Sequence, residues 1–257
     1  DRSPPADRGI LAKLQWPVWK KAWSLVKNKQ AHSGCVVSPS HGRFVHSRVG
    51  VLEGNTVEIP AGVDVSIFKP GRRNEVLTLI YHGRLDQNRG VLSLPMFHEK
   101  LRQKGVQTKL ILIGEGDAFG SLERMAGGRD DIEVLSALPQ EELAEKLSQS
   151  HIGLLPMPET KVWSLASPLK RSEYAASGLL VFGIDHTGHQ LKEKIQPAWI
   201  HLVKQENFHL DGVEWLQSLT QEKINSLSED SREYAIAKLD WSKSVEALEQ
   251  VCLSCLT

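Results

Sequence analysis

Residues 76–90 read VLTLIYHGRLDQNRG, an apolar run that ends abruptly in a loop carrying two glycines and two arginines. A short apolar run followed at once by turn-forming residues is typical of a strand that is buried on both faces of a sheet. The same pattern returns toward the C-terminus, where short apolar runs alternate with segments of helical periodicity. This alternation predicts parallel βαβ units and therefore an α/β fold with a doubly wound, Rossmann-like parallel sheet.

The same two periodicities predict the remaining elements. Strands are predicted at residues 34–38, 56–60, 76–81, 109–113, 132–135, 152–156, 179–184 and 199–203. Helices are predicted at 10–29, 91–104, 118–126, 140–148 and 169–177, and the chain from 211 onward is predicted to be helical, with a last helix at 241–256. Residues 61–74 contain turn-forming prolines and glycines and no helical period, which predicts a linker.

The composition limits the class of protein. The chain has 257 residues, of which 40% are apolar and 24% are charged, as is ordinary for a globular protein with a sizeable core. Its 31 Lys and Arg balance its 31 Asp and Glu, so the net charge gives no reason to expect nucleic acid as a partner. No apolar stretch approaches the roughly 20 residues of a membrane span, and no signal peptide is recognisable. With three cysteines, too few for a disulfide framework, we expect a soluble, cytoplasmic protein.

Open parallel sheets bind ligands beyond the carboxyl ends of their strands, so the loops that follow the strands are the candidate sites. The loop after residue 81 places Gly83 beside Arg84, and Arg89 follows within the same loop. Glycine allows close backbone approach, and arginine presents a fork that matches phosphate oxygens. The alternative interpretation is a surface loop with two solvated arginines.

A second glycine-containing loop follows the strand predicted at 109–113 and contains Gly114 and Gly116. It lacks the third glycine of the dinucleotide-binding fingerprint, which argues against a standard NAD site. A tight turn is therefore the alternative to direct ligand contact.

A third loop leads into the helix predicted at 169–177, where the chain reads SPLKRSEYAASG over residues 167–178. We expect Ser167 to be the N-cap, Pro168 the first helical residue and Gly178 the residue beyond the helix. The backbone N–H groups around Leu169 would then form an anion site at the carboxyl edge of the sheet.

Two charged residues on this helix strengthen that hypothesis. Lys170 opposes the helix dipole in the first turn, so an anionic ligand would explain its position. Glu173 could accept hydrogen bonds from ligand hydroxyls, or it could pair with Lys170 three residues away. Arginines and a helix N-terminus suit a diphosphate, and a glutamate suits a ribose diol. The combination indicates a nucleotide-sugar site.

Five stretches of the sequence, taken in order, resemble the GT-B-fold, GT4-type retaining glycosyltransferases, also called group 1 glycosyltransferases. These stretches are residues 57–64 with Phe68 and Pro70, then 83–90, 114–116, 138–143 and 167–178. The resemblance covers about residues 30–257.

The resemblance implies transfer of a sugar from a nucleoside-diphosphate sugar to an acceptor with retention of configuration, in glycan, glycolipid or polysaccharide synthesis. It implies that Arg84 and Arg89 bind the diphosphate, that Glu173 binds the ribose, and that Leu138 lies against the base. The N–H groups near residues 167–169 would bind phosphate or sugar. No metal and no further cofactor are expected, and the sequence contains no Asp-x-Asp motif.

The resemblance also assigns roles to the segments of the chain. Residues 75–240 would be the donor-binding domain, residues 1–60 a remnant of the N-terminal acceptor-side domain, and residues 61–74 the interdomain linker. Residues 241–257 would be the crossover helix that packs back on the N-terminal half. Most of the acceptor domain is then missing, so we expect either a fragment or a partner chain that supplies it, with a glycan or lipid-linked acceptor.

The sequence departs from the family pattern at two positions. Leu165 stands where the family commonly has a first glutamate, and Glu159 lies six positions too early to replace it. Ala61 stands where asparagine is usual. Two alternatives therefore remain open: a non-catalytic nucleotide-sugar-binding subunit, and another GT-B enzyme such as a nucleotide-sugar epimerase.

Other conspicuous residues have simpler interpretations. His82 could contact the donor, but a strand-end histidine more often satisfies local hydrogen bonds. The pair Cys252 and Cys255 and the pair His186 and His189 lack further ligands for a metal.

The first predicted helix, residues 10–29, interleaves three tryptophans with lysines and contains no acidic residue. Such a helix can lie at an anionic membrane surface, which predicts peripheral contact with the cytoplasmic membrane face. The alternative is that its tryptophans pack inward.

Overall fold

The computed structural model describes residues 10–255 of the chain. Predictions that fall on residues 1–9 and 256–257 lie outside the described residues. The described chain forms a six-stranded parallel sheet and a separate two-stranded parallel sheet, with helices packed around both. The predicted α/β fold with a doubly wound parallel sheet is confirmed.

The strands lie close to their predicted positions. In chain order they are β1 (Gly34–Val36), β2 (Thr56–Glu58), β3 (Leu77–His82), β4 (Thr108–Ile113), β5 (Ile132–Leu135), β6 (Ile152–Leu155), β7 (Leu180–Ile184) and β8 (Ile200–Val203). The helices are α1 (Ile10–Lys27), α2 (Pro39–Val49), α3 (Ser93–Gln103), α4 (Phe119–Ala126), α5 (Gln140–Ser148), α6 (Lys161–Ser164), α7 (Leu169–Ala176), α8 (Phe208–Gln217), α9 (Gln221–Tyr234) and α10 (Trp241–Ser254). A π-helical turn, Ala235–Leu239, continues α9.

The large sheet has the strand order β5-β4-β3-β6-β7-β8, with every neighbouring pair parallel. The chain starts in the middle at β3, moves outward to β5, and then crosses back to β6. The strand order therefore reverses between β3 and β6, which is the switch point where such sheets form a crevice. Residues His82, Ile113 and Leu135 lie side by side in register, so the loops after β3, β4 and β5 leave the sheet at one edge.

The central strands are buried on both faces, as the uninterrupted apolar runs predict. Leu79, Ile80 and Tyr81 of β3 are completely inaccessible to solvent, and so is Leu154 of β6. Helices cover both faces, and this core continues to Phe68, which lies within the predicted linker.

A smaller apolar cluster joins the N-terminal helices to β1 and β2. Its members are Trp19, Trp23, Val26, Val36, Phe44, Val45, Val51 and Leu165. Trp19 and Trp23 are buried, which agrees with inward packing of these tryptophans. Membrane contact through residues 10–29 stays a prediction, and within residues 10–255 no helix is both long and apolar enough to cross a bilayer.

Helix α2 is absent from the predicted elements, although its ends are well marked. Ser38 is its N-cap and accepts a hydrogen bond from the backbone N–H of His41 at 3.1 Å. Pro39 begins the helix, and Gly50 ends it with a φ of 74°. Its interior is mostly polar, so the apolar period that would indicate a helix is weak.

The predicted linker, residues 61–74, is attached to the C-terminal part of the chain along its length. Val63 forms a parallel bridge with Asp240. From α9, Arg232 donates hydrogen bonds to the carbonyl oxygens of Val65, Phe68 and Ala176. These contacts place the guanidinium between the linker and the end of α7.

We expect Arg232→Ala to lower the free energy of unfolding by about 2–3 kcal/mol, because several half-buried carbonyl oxygens lose a charged donor at once. Urea unfolding monitored by circular dichroism measures the change. The matched control is Arg102→Ala, which removes an exposed ion pair with Glu99 and should leave the free energy of unfolding almost unchanged. Equal losses in the two variants would contradict the role of Arg232.

Candidate functional site

Three cationic side chains meet near the switch point between β3 and β6. Arg84 and Arg89 lie in the loop that follows β3, and Lys170 lies in the first turn of α7, which follows β6. The sequence analysis selected all three as phosphate-binding or donor-binding residues, and the fold brings them to the same edge of the sheet.

The glycines at this edge allow two loops to touch through their backbones. The amide of Gly83 donates to the carbonyl oxygen of Ile113, at 2.8 Å. Gly83 has a φ of 109° and Gly114 a φ of 144°, and a Cβ on Gly114 would lie 1.8 Å from the oxygen of Gly83. A Cβ on Gly116 would lie 2.4 Å from the carbonyl of Leu85. Gly114 and Gly116 thus hold the loop after β3 in place; direct ligand contact by either stays a prediction.

Asp86 links the two arginines of the loop. Its carboxylate lies 3.0 Å from Nη2 of Arg84 and 3.6 Å from Nε of Arg89. The Arg84 guanidinium holds the pKa of Asp86 below its usual value, so the carboxylate is ionised at neutral pH. The sequence analysis missed Asp86, although its position between two arginines in one loop was a signal for it.

Arg89 is less exposed than Arg84 and is held by groups from the loop after β6. Its guanidinium lies over the ring of Trp163 with 4.4 Å between the carbon and the ring centroid. Its Nη1 also lies 3.7 Å from the sulfur of Met157. The sequence analysis missed Trp163, because nothing in the sequence links it to an arginine three strands earlier.

Lys170 faces an aromatic ring and not a carboxylate. Its ammonium lies 5.4 Å from the ring centroid of Tyr81, and a Cβ on Gly83 would come within 2.8 Å of its nitrogen. Burial lowers the pKa of Lys170 to about 8, and the charge of Arg89 acts in the same direction. An anion placed against this ammonium would oppose both effects, so the surroundings of Lys170 favour an anionic ligand.

The N-cap of α7 lies one residue later than predicted, while the helix starts at the first residue of its predicted range 169–177. The helix begins at Leu169, and Pro168 occupies the N-cap with a ψ of 122°, so neither Ser167 nor Pro168 has its predicted role. The extended backbone of Pro168 keeps it out of the first helical turn. Among the described residues no side chain caps this end, so its N–H groups face the crevice without a capping acceptor. Gly178 lies beyond the helix with a φ of 71°, as predicted.

Glu173 pairs with His82 and not with Lys170. Its Oε2 lies 3.0 Å from Nε2 of His82, and the two side chains are 15% and 9% exposed. Burial lowers the pKa of His82, while the nearby carboxylate raises it by a smaller amount. The contact joins the end of β3 to α7 across the switch point.

Leu165, at the position where a first glutamate was expected, belongs to the N-terminal apolar cluster and is 7% exposed. Its carbonyl oxygen accepts a hydrogen bond from the hydroxyl of Ser38 at 2.9 Å. Glu159 is exposed. The segment 160–166 therefore contacts the N-terminal cluster through Leu165 and the arginine site through Trp163.

A cavity of about 620 Å³ lies between the N-terminal unit, residues 10–58 with β1 and β2, and the loops of the large sheet. Ser38 and Arg43 line one side, and Ser167 and Lys192 line the other. Of the predicted site residues only Ser167 lines it, so the cavity adjoins the arginine site and does not contain it.

The remaining candidates have structural environments. Leu138 packs half-buried against the main core after β5, at the same sheet edge as Gly114. Nδ1 of His189 lies 2.7 Å from the carbonyl oxygen of Ile184, and Nε2 of His186 lies 3.2 Å from that of Met157. Within residues 10–255 no three His, Cys, Asp or Glu side chains are grouped to hold a metal ion.

Residues 77–216, more than half of the chain, match the family described as "Glycosyl transferases group 1". This range contains β3 to β8 and all of the site residues predicted from the sequence. No curated protein sequence matches the chain.

Solved structures share the fold at low sequence identity. Sucrose-phosphate synthase from Thermosynechococcus elongatus is 19% identical with a TM-score of 0.74, over 100% of this chain and 64% of that one. The pneumococcal O-GlcNAc transferase GtfA, in complex with UDP and GlcNAc, is 15% identical with a TM-score of 0.72, over 91% and 47%. Anabaena HepE, in complex with UDP-glucose, is 14% identical with a TM-score of 0.63, over 88% and 64%. The chain thus spans between about half and two thirds of the length of these proteins.

The environment of Lys170 predicts a pH-dependent anion site. Because the pKa of Lys170 is about 8, its cation is present at pH 7 and is lost as the pH rises to 9. We expect the affinity for inorganic pyrophosphate to fall about tenfold over this interval, measured by calorimetry. Pyrophosphate itself titrates in this range, so the control is Lys170→Arg, whose side chain stays charged. Identical pH profiles for the two proteins would contradict the assignment.

Proposed function

Because the chain belongs to the group 1 glycosyl transferases, we propose that it binds a nucleoside-diphosphate sugar and transfers the sugar to an acceptor. The observation that carries the proposal is the meeting of Arg84, Arg89 and Lys170 with Glu173 at the switch point of the sheet. Cations and backbone N–H groups suit the diphosphate, and the carboxylate suits the ribose hydroxyls. The complexes of GtfA with UDP and of HepE with UDP-glucose support this ligand class.

Catalysis by this site would rest on stabilising the charge of the leaving diphosphate. When the bond between the sugar and the diphosphate breaks, negative charge develops on the leaving oxygen. The arginines, Lys170 and the uncapped N-terminus of α7 are fixed before the reaction, so they would stabilise this charge without reorganising. These are the groups that would supply positive charge, so the proposal includes no metal ion and no further cofactor.

We further propose that the transfer retains the anomeric configuration, as in GT4-type enzymes. The acceptor would be a glycan or a lipid-linked sugar, bound where the cavity lined by Ser38 and Ser167 separates the two units. Because the related structures are longer than this chain, the rest of an acceptor domain would come from further residues or from a partner chain.

A non-catalytic nucleotide-sugar-binding subunit is the second candidate, and Leu165 favours it. The side chain at this position is apolar and turned into the N-terminal cluster, so it supplies no carboxylate to a donor sugar. Such a subunit would bind the donor as proposed but would not break its glycosidic bond.

We expect calorimetry to show selective binding of one among UDP, GDP, ADP and CMP. Arg89→Ala should weaken this binding by tenfold or more, because it removes a charged donor to the diphosphate, and Arg84→Ala and Glu173→Gln should also weaken it. Arg102→Ala, on the exposed face of α3, is the control and should bind like the unmodified protein. Failure of the folded protein to bind any of the four would overturn the donor-site assignment.

Slow hydrolysis of the nucleotide-sugar donor in the absence of an acceptor tests whether the protein breaks the glycosidic bond and whether the configuration is retained. We expect the first sugar released, followed by proton NMR before mutarotation, to have the same anomeric configuration as the donor. Release of the opposite anomer would show that retention is wrong. Tight binding of the donor without formation of free sugar would support the non-catalytic subunit.

A further inference from the structure

We propose that His82 is a positioning residue that holds one oxygen of Glu173, so that the other oxygen accepts hydrogen bonds from the ribose hydroxyls of the donor. This inference rests on the proposed function, since it gives His82 a task within the same site. It makes the ribose contact depend on two residues from different elements, β3 and α7.

The geometry around His82 carries the proposal. Its Nε2 lies 3.0 Å from Oε2 of Glu173, a hydrogen-bonding distance at which the two groups are not aligned, and neither atom has a hydrogen-bond partner among the described residues. Both atoms are shielded from solvent. The ring of Tyr174 stands at 90° to the imidazole with 5.3 Å between centroids, so the imidazole is fixed from a second direction.

Burial explains why the carboxylate needs this partner. An oxygen of an ionised carboxylate loses its hydration when it turns inward, and this is costly unless a donor replaces the water. Burial keeps the pKa of His82 below its ordinary value, with Lys170 acting in the same direction and Glu173 opposing. The neutral ring then carries a single N–H, and a hydrogen on Nε2 satisfies Oε2. Oε1 is left as the oxygen available to a ligand.

A purely structural role for His82, as a ring that fills space under α7, is the competing explanation. The two roles differ in what they predict for ligands without hydroxyls. A space-filling ring would affect the binding of every ligand at the edge of the sheet. A residue that orients Glu173 would affect only ligands that carry the ribose diol.

The experiment compares three ligands by calorimetry: the nucleoside diphosphate among UDP, GDP and ADP that binds best, its 2′,3′-dideoxy analogue, and inorganic pyrophosphate. The variant His82→Phe keeps an aromatic ring at this position but removes the ring N–H that would donate a hydrogen bond to Glu173. We expect about tenfold weaker binding of the diphosphate, with binding of the other two unchanged. His82→Gln, which can place an amide N–H near Oε2, should recover most of the lost affinity.

The outcomes separate this inference from the proposed function. If the unmodified protein binds none of the nucleoside diphosphates, the proposed function fails. If it binds one and His82→Phe binds it equally well, or loses all three ligands equally, the positioning role fails alone. Nitrogen NMR of the His82 ring in the unmodified protein needs no variant, and a hydrogen on Nδ1 in place of Nε2 would also overturn it.

Discussion

Repulsion among like charges is the constraint around which the candidate site is built. Arg84, Arg89 and Lys170 meet at one edge of the sheet, and Asp86 is the carboxylate placed between the arginines. Arg84 is exposed, but Arg89 and Lys170 are half-buried, and charges in such surroundings interact more strongly than they do in water. The ammonium of Lys170 lies over the ring of Tyr81, and the guanidinium of Arg89 lies over the ring of Trp163. Because aromatic faces attract cations without neutralising them, the site keeps its positive character while the fold stays compact.

The topology of the sheet makes this concentration of charge possible. Strand order reverses between β3 and β6, so neighbouring loops diverge there and leave room beside the N-terminus of α7. The contact between Gly83 and Gly114 then fixes the loop that carries the arginines. A backbone held in place beneath these side chains allows cations from two distant parts of the sequence to act on one ligand.

Much of this arrangement could be predicted from the sequence. The apolar runs specify buried parallel strands, and parallel strands place their following loops at one edge, so Arg84, Arg89, Lys170 and Glu173 could be grouped correctly. Details set by tertiary contacts could not. Pro168 has an extended ψ and occupies the N-cap of α7, so the cap lies one residue later than predicted. Trp163 is distant from Arg89 in the sequence and contacts it only in the folded chain. The sequence shows that Leu165 replaces the usual glutamate, but it does not show that this leucine packs into the N-terminal cluster.

The segment 160–166 contacts both the N-terminal unit and the arginine site of the large sheet. Leu165 is embedded in the N-terminal cluster, Ser38 bonds to its backbone, and Trp163 covers Arg89. A rotation of the N-terminal unit would therefore change the contacts that support Arg89 in the proposed donor site. Thermodynamic reciprocity then requires that any ligand sensitive to this support also biases the rotation by the same free energy. The affinity of the proposed donor site and the orientation of the N-terminal unit would then report on one equilibrium.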